Sequence, residues 1–289
     1  LLFKSQWRCV VCRGVLPCIS MDATHIIKPP REKRPRIILS LGGGPAVRGI
    51  LDAAQPYHWV FEELRFFGGA LPPGPPPQGA IVALLPTDDV VVRLRELGCP
   101  VVRLGRLPHF DDHIMPAVLP DLVARGHMAA EHFAAREFKH VGYVGRNPWS
   151  EMQDLYDAFH DRALELGCAC HLLRFEPTPV DSSTSQAERD RAKYRIRQRV
   201  FTDWLATVPT PLGLLAVGDY MAGQLCSMVA QSGASVPEDV AVLGIGNMVD
   251  QCECAPVTIS SIDTDIERRG REAALLLHRL MDGEAPPSE

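Results

Sequence analysis

From residue 36 onward, apolar and polar positions along the 289-residue chain change rhythm at regular intervals. Short, nearly continuous Val, Ile and Leu runs at 36–41, 58–64, 80–85, 101–104, 140–144, 171–175, 213–217 and 240–245 read as strands. Continuous runs, rather than strict alternation, are what strands show when helices cover both faces of a sheet. Between them lie longer helical patterns at 47–54, 87–97, 119–135, 151–166, 186–207, 219–231 and 265–281. Gly98, Gly167 and Gly233 follow three of these where a left-handed C-cap falls. The alternation predicts an α/β fold around parallel sheets. One connection breaks the rhythm: LPPGPPPQG at 71–79 cannot be helical, and is expected to replace a crossover helix with a loop.

Composition narrows the class. Hydrophobic residues make up 46% and charged residues 22%, which is globular usage, not that of a disordered or collagen-like chain. No run approaches the roughly 18 apolar residues of a membrane-spanning helix. The formal net charge is -5, so the chain as a whole lacks the basic footprint that neutralises nucleic-acid phosphates, and any DNA contact must come from elsewhere. Nine cysteines, an odd number spread along the length, fit reduced thiols in a cytoplasmic protein better than a secreted disulfide framework. Residues 1–33 read as an unstructured leader with Met21 as a possible natural start. A signal peptide is the competing reading, but Arg8 and Arg13 interrupt its apolar region. Cys9, Cys12 and Cys18 lack a fourth metal ligand at suitable spacing.

Six strings in fixed order carry a family likeness: CPVVRLG at 99–105, FKHVGYVG at 138–145, GLLAVGD at 213–219, VPEDVAVLGIGN at 236–247, ISSID at 259–263 and GREAALLLHRLM at 270–281. With the order of elements from about 34 to 287, they resemble the periplasmic-binding-protein-like (type I) sensor domain of the LacI/GalR superfamily, and within it regulators of xylose operons. The resemblance implies two doubly wound parallel-sheet lobes with a hinge between them: 34–135 plus 262–281 as the N-terminal lobe, and 136–261 as the C-terminal one. It implies ligand in the crevice at the C-terminal strand ends, and hinge closure as the switch. It further implies a monosaccharide effector such as xylose or another pentose, a homodimer, and no cofactor. Operator DNA would be reached only through an AraC-type helix-turn-helix domain that follows a linker at 282–289 and is absent from this chain.

A sugar pocket needs paired donors and acceptors with a flat apolar face. Five residues are candidates. Asp219, at the end of a strand, matches an acidic residue of sugar-responsive relatives, or caps the helix that follows. Asn247 ends the GIGN string and either meets hydroxyls or occupies a left-handed turn. Asp121 matches the family's acidic residue beside the cleft, or is an N-cap. Trp149 follows a strand-end loop and either stacks a pyranose or packs on neighbours. Arg48 stands where xylose-type relatives carry Arg, or is a solvated helix-start residue. Two departures count against tight sugar binding: Leu155 stands where the superfamily has a sugar-gripping Arg, and Gly246 where it has Asp.

Enzyme-like constellations are incomplete. LGGGP at 41–45 lacks the spacing of a dinucleotide loop and the P-loop lysine. HFDDH at 109–113 has metal-capable side chains without fixed geometry, and His127 and His132, five apart, do not share a helix face. The expected function is therefore effector sensing without catalysis or a bound metal. The alternatives are a periplasmic solute-binding protein for sugar transport and, as a third class, an enzyme on the same fold.

Overall fold

The apolar runs build two parallel five-stranded sheets, with the longer patterns packed as helices on their faces. The computed structural model describes residues 34–287 apart from 42, 84–87, 106–114, 147–149 and 178–182. The first sheet contains β1 (Arg36–Ser40), β2 (Val60–Glu63), β3 (Gly79–Val82), β4 (Val101–Leu104) and β5 (Ala117–Val118) in the order β2-β1-β3-β4-β5. The second contains β6 (His140–Arg146), β7 (Ala169–Phe175), β8 (Leu212–Ala216), β9 (Val240–Ile245) and β10 (Ser260–Ile262) in the order β10-β9-β8-β6-β7. Both orders are the same winding. The direction of progression reverses beside the first strand of each sheet, and such reversals open a crevice at the C-terminal strand ends.

The helices are α1 (Pro45–Ala54), α2 (Asp88–Glu96), α3 (Leu122–Ala134), α4 (Ser150–Glu165), α5 (Gln186–Leu205), α6 (Asp219–Gln231), α7 (Val249–Glu253) and α8 (Ile266–Met281). Gly98, Gly167 and Gly233 are left-handed after α2, α4 and α6, as their positions predict. Both faces of both sheets are buried, which explains the unbroken apolar runs. In the second sheet, Leu212, Leu214 and Val144 point to α5 and α6, whereas Val141, Tyr143 and Leu215 point to α3 and α4.

Helix α3, assigned to the first lobe on sequence, packs on the second sheet. Its Leu122, Ala129, Ala130 and Phe133 join Val141, Tyr143, Leu155 and Phe159 in one core cluster. The physical reason is its apolar stripe, which lies over Gly213: with no side chain there, the Phe133 ring sits directly on β8. The chain then returns through α8, whose Ala273, Ala274 and Leu277 pack with Ile37, Leu39 and Ile50 of the first sheet and α1.

The proline-rich loop does replace a crossover helix. A 3₁₀ turn over Leu64–Phe67 follows β2, and the segment after it reaches the start of β3 without helical structure. Prolines offer carbonyls and no N–H groups, so the loop needs donors from elsewhere. Arg36 supplies them. Its guanidinium donates to the carbonyls of Pro72, Pro73 and Pro75 and pairs with Glu62.

Burial also silences thiols. It pushes the Cys99 thiol up to about 12 and that of Cys226 to about 11, while Cys254 is exposed. At pH 8, alkylation followed by peptide mapping is expected to label Cys99 and Cys226 at least about a hundredfold more slowly than Cys254. Equal labelling of these three would contradict the packing.

Candidate functional site

Asp219 is the best-buried acid at the crevice, with 2% of its surface exposed. It begins α6 directly after β8, yet its side chain does not cap that helix. One carboxylate oxygen accepts from Ser261 Oγ at 2.5 Å and the other from the Met248 N–H at 2.8 Å. Burial pushes the Cys252 thiol up, and the neighbouring Asp219 carboxylate adds to that shift. Asp219 thus ties the ends of β8, β9 and β10 together. Gly244 and Gly246 leave it room, because a Cβ at either position would crowd its carboxylate.

That brace sets the loop after β9. Gly246 has φ +137° and Asn247 φ +53°, two successive left-handed residues that turn the chain sharply. The Asn247 N–H donates to Ser261 Oγ at 3.0 Å, and its Nδ2 donates to Asp263 Oδ2 at 3.1 Å. Asp263 begins the short passage from β10 to α8. Its Oδ1 accepts from the Asp265 N–H at 2.8 Å, and Asp265 is itself left-handed at φ +48°. Non-glycine residues held in this region cluster where structure serves function.

Between these turns and the start of α1 lies a cavity of about 390 Å³. Its lining includes Asn247, Asp263, Asp265, Glu267, Arg268 and Arg271, with Pro45 of α1 beside them. Arg268 Nε pairs with Asp265 Oδ2 at 2.7 Å. The lining therefore alternates acceptors and donors with nearly balanced charge, in a volume within the range of about 300–1,000 Å³ usual for small-molecule sites. A neutral polyhydroxylated molecule, whose hydroxyls both donate and accept, suits such a lining better than an ion.

Residues 130–289, more than half of the chain, match the periplasmic binding protein-like domain family. The chain belongs to that family. The xylose operon regulatory protein of Escherichia coli (strain K12) is 36% identical over 90 residues, covering 31% of this chain and 23% of that protein. The HTH-type transcriptional regulator GntR of Pseudomonas aeruginosa is 28% identical over 163 residues, 55% of this chain and 43% of that protein. The chain thus matches less than half the length of either regulator. Among solved structures, a xylose-binding transcription activator xylR superposes with a TM-score of 0.71 at 23% identity, over 89% of this chain and 66% of that one. That likeness establishes the two-sheet fold.

Within this family fold, the five sequence-derived candidates separate. Asn247 lines the cavity, and the left-handed turn proposed as its bland role is what aims it there. Asp219 stands behind the cavity wall; its oxygens are taken by the Met248 N–H and the Ser261 hydroxyl, and it does not cap α6. Asp121 caps α3, accepting from the Ala124 N–H at 2.8 Å, and borders a different groove. Arg48 is exposed on α1 and does not line the cavity. Trp149 lies outside the described residues, as do 109–113 and the leader 1–33. Leu155 is 2% exposed within the α3–α4 core, so it is a packing residue and not a pocket wall.

The sequence reading missed Asp263, Asp265, Glu267, Arg268 and Arg271. Their signal was the polar run DTDIERRGR at 263–271 directly after the SSI strand, where a chain leaving one sheet for another must cross the crevice.

Proposed function

We propose that this chain is the effector-sensing part of a transcription regulator, that its effector is a monosaccharide of the pentose class, and that it binds without turnover. The observation that carries the reading is the donor-and-acceptor-lined cavity at the passage between the two sheets of a periplasmic-binding-protein-like fold. Support for a pentose comes from the xylose operon regulatory protein, and support for regulation from both matched relatives, which are regulators and not transport proteins. Operator DNA would be contacted through a separate helix-turn-helix domain, and the working unit would be a homodimer in the cytoplasm. Among the described residues no helix is long and apolar enough to cross a membrane.

Ligand that touches Asn247 on one side and Arg268 or Arg271 on the other would favour a closed arrangement, and only differential affinity for that arrangement can switch the regulator. Titration calorimetry with D-xylose, L-arabinose and D-ribose is the test. One of them is expected to bind and to raise the melting temperature, and Asn247→Ala or Arg271→Ala is expected to weaken it about tenfold, the loss of one good hydrogen bond. Absence of heat and of a thermal shift with every aldopentose overturns the pentose assignment.

A further inference from the structure

Two charged helix faces on opposite sides of the second sheet match each other. On α5, Arg191, Arg195 and Arg199 recur every four residues on the exposed side, and Arg199 keeps 86% of its side chain in solvent. Beside them Ile196 and Val200 are 46% and 41% exposed. This local basic stripe contrasts with the net charge of -5 of the whole chain. On the other face of the sheet, a groove of about 610 Å³ runs between the start of α3 and α4. Its wall carries Asp157, Asp161 and Glu165 at the same four-residue spacing, with Asp121 and Asp154 nearby and the exposed apolar Leu119 and Val123 at its end.

Four helical residues rise about 6 Å, so both stripes place three charges over about 12 Å. Like charges at four-residue spacing destabilise an isolated helix. Partners within the chain relieve this only in part. Arg162 pairs with Glu165 and Glu131, His160 meets Asp161, Gln153 binds Asp157, and Arg199 reaches Asp203 at 3.9 Å. His127 is the titratable base in the groove lining.

We propose that the α5 face of one copy docks into the α3–α4 groove of a second copy, with the arginine stripe against the carboxylate stripe and Ile196 and Val200 against Leu119 and Val123. The two faces point away from each other across one sheet, so the contact is heterologous: each copy offers a basic face to one neighbour and an acidic groove to another. Exposed charges make it dependent on ionic strength.

Sedimentation velocity over a concentration series tests the proposal. Growth beyond the proposed homodimer is expected at about 0.05 M salt and to be at least tenfold weaker at about 0.5 M, where the Debye length is shorter than the contact. The pair Arg195→Glu, Arg199→Glu and the pair Asp157→Lys, Asp161→Lys are each expected to abolish it, with unchanged circular dichroism and melting. Mixed in equal amounts, the two variants each retain one charge-reversed face and one native face. In the mixture the native basic face meets the native groove and the reversed face meets the reversed groove, so association is expected to return with the two variants alternating one to one. A wild type that does not grow beyond the dimer at low salt, growth that survives either charge reversal, or a mixture that fails to regain it overturns the proposal. So does a wild type that stays at or below the dimer and whose arginine stripe instead binds duplex DNA.

Discussion

Asp219→Ala is expected to destabilise the folded chain by about 3 kcal/mol, because it strands donors that a buried carboxylate now satisfies. The Met248 N–H and the Ser261 hydroxyl both lose their acceptor. For a folded unit of this size the melting temperature should fall by roughly 6–12 °C. Asp219→Asn separates the causes. Its amide retains one acceptor oxygen but turns an NH₂ group toward a donor, so it is expected to recover part of the stability, not all. The effect also has an address: amide exchange at Met248 should accelerate in Asp219→Ala more than exchange in the core of β8. Since Met248 follows Asn247, pentose affinity should fall together with protection there. A variant with wild-type melting and unchanged exchange at Met248 would show that the three strand ends hold together without the carboxylate.

The difference between what the sequence disclosed and what it concealed follows from the range of the interactions. Apolar runs and glycine C-caps are local signals, so the α/β alternation was legible, with β4, β9 and α6 placed at their observed bounds, while the division into two wound sheets came from the family resemblance. The two-residue β5, the three-residue β10 and the five-residue α7 were not, because elements that short are defined by their partners: β5 exists through its pairing with β4. The site was legible only in part for the same reason. Asn247 could be picked out by its place after a strand, and its left-handed turn was among the readings weighed. That Asp219 faces inward depends on Ser261, forty-two residues away, and on the absence of a side chain at Gly244 and Gly246. Gly246 was read as a missing sugar ligand. In the structure it has a positive reason to be glycine, since φ +137° and the neighbouring carboxylate both exclude a side chain. Leu155 likewise fills a core position. The basic stripe of α5 was hidden by averaging: a whole-chain charge of -5 says nothing about one helix face.

Gly270→Ala is expected to destabilise even though the same change in an ordinary helix helps. Replacing an interior glycine by alanine usually adds about 0.5–1 kcal/mol to helix stability, through the smaller entropy lost on folding. Here α8 crosses α1 at its closest approach on two glycines. A methyl group at Gly270 would overlap the Ala46 carbonyl oxygen and lie 2.9 Å from its carbonyl carbon, and one at Gly49 would overlap the Glu267 carbonyl. Those obstacles are backbone atoms, which cannot rotate away as a side chain would. The only relief is to move α8 off α1, which opens the cluster holding Ala273, Leu277, Ile50 and Leu39. Overpacking of this kind costs about 1–3 kcal/mol, more than propensity returns. The net effect should be a loss of about 1–2 kcal/mol for Gly270→Ala, and a larger one for Gly270→Val. Gly49→Ala should behave alike, and the double variant should cost less than the sum, because one displacement of α8 relieves both overlaps. Denaturant melts of the single and double variants give the cycle directly; stabilisation by Gly270→Ala would mean that the two helices are not in contact there. Because Ile266, Arg268 and Arg271 at the start of α8 and Pro45 at the start of α1 line the same cavity, the displaced helix should also bind pentose more weakly. That loss would occur with every polar group of the cavity still present, which distinguishes it from Asn247→Ala.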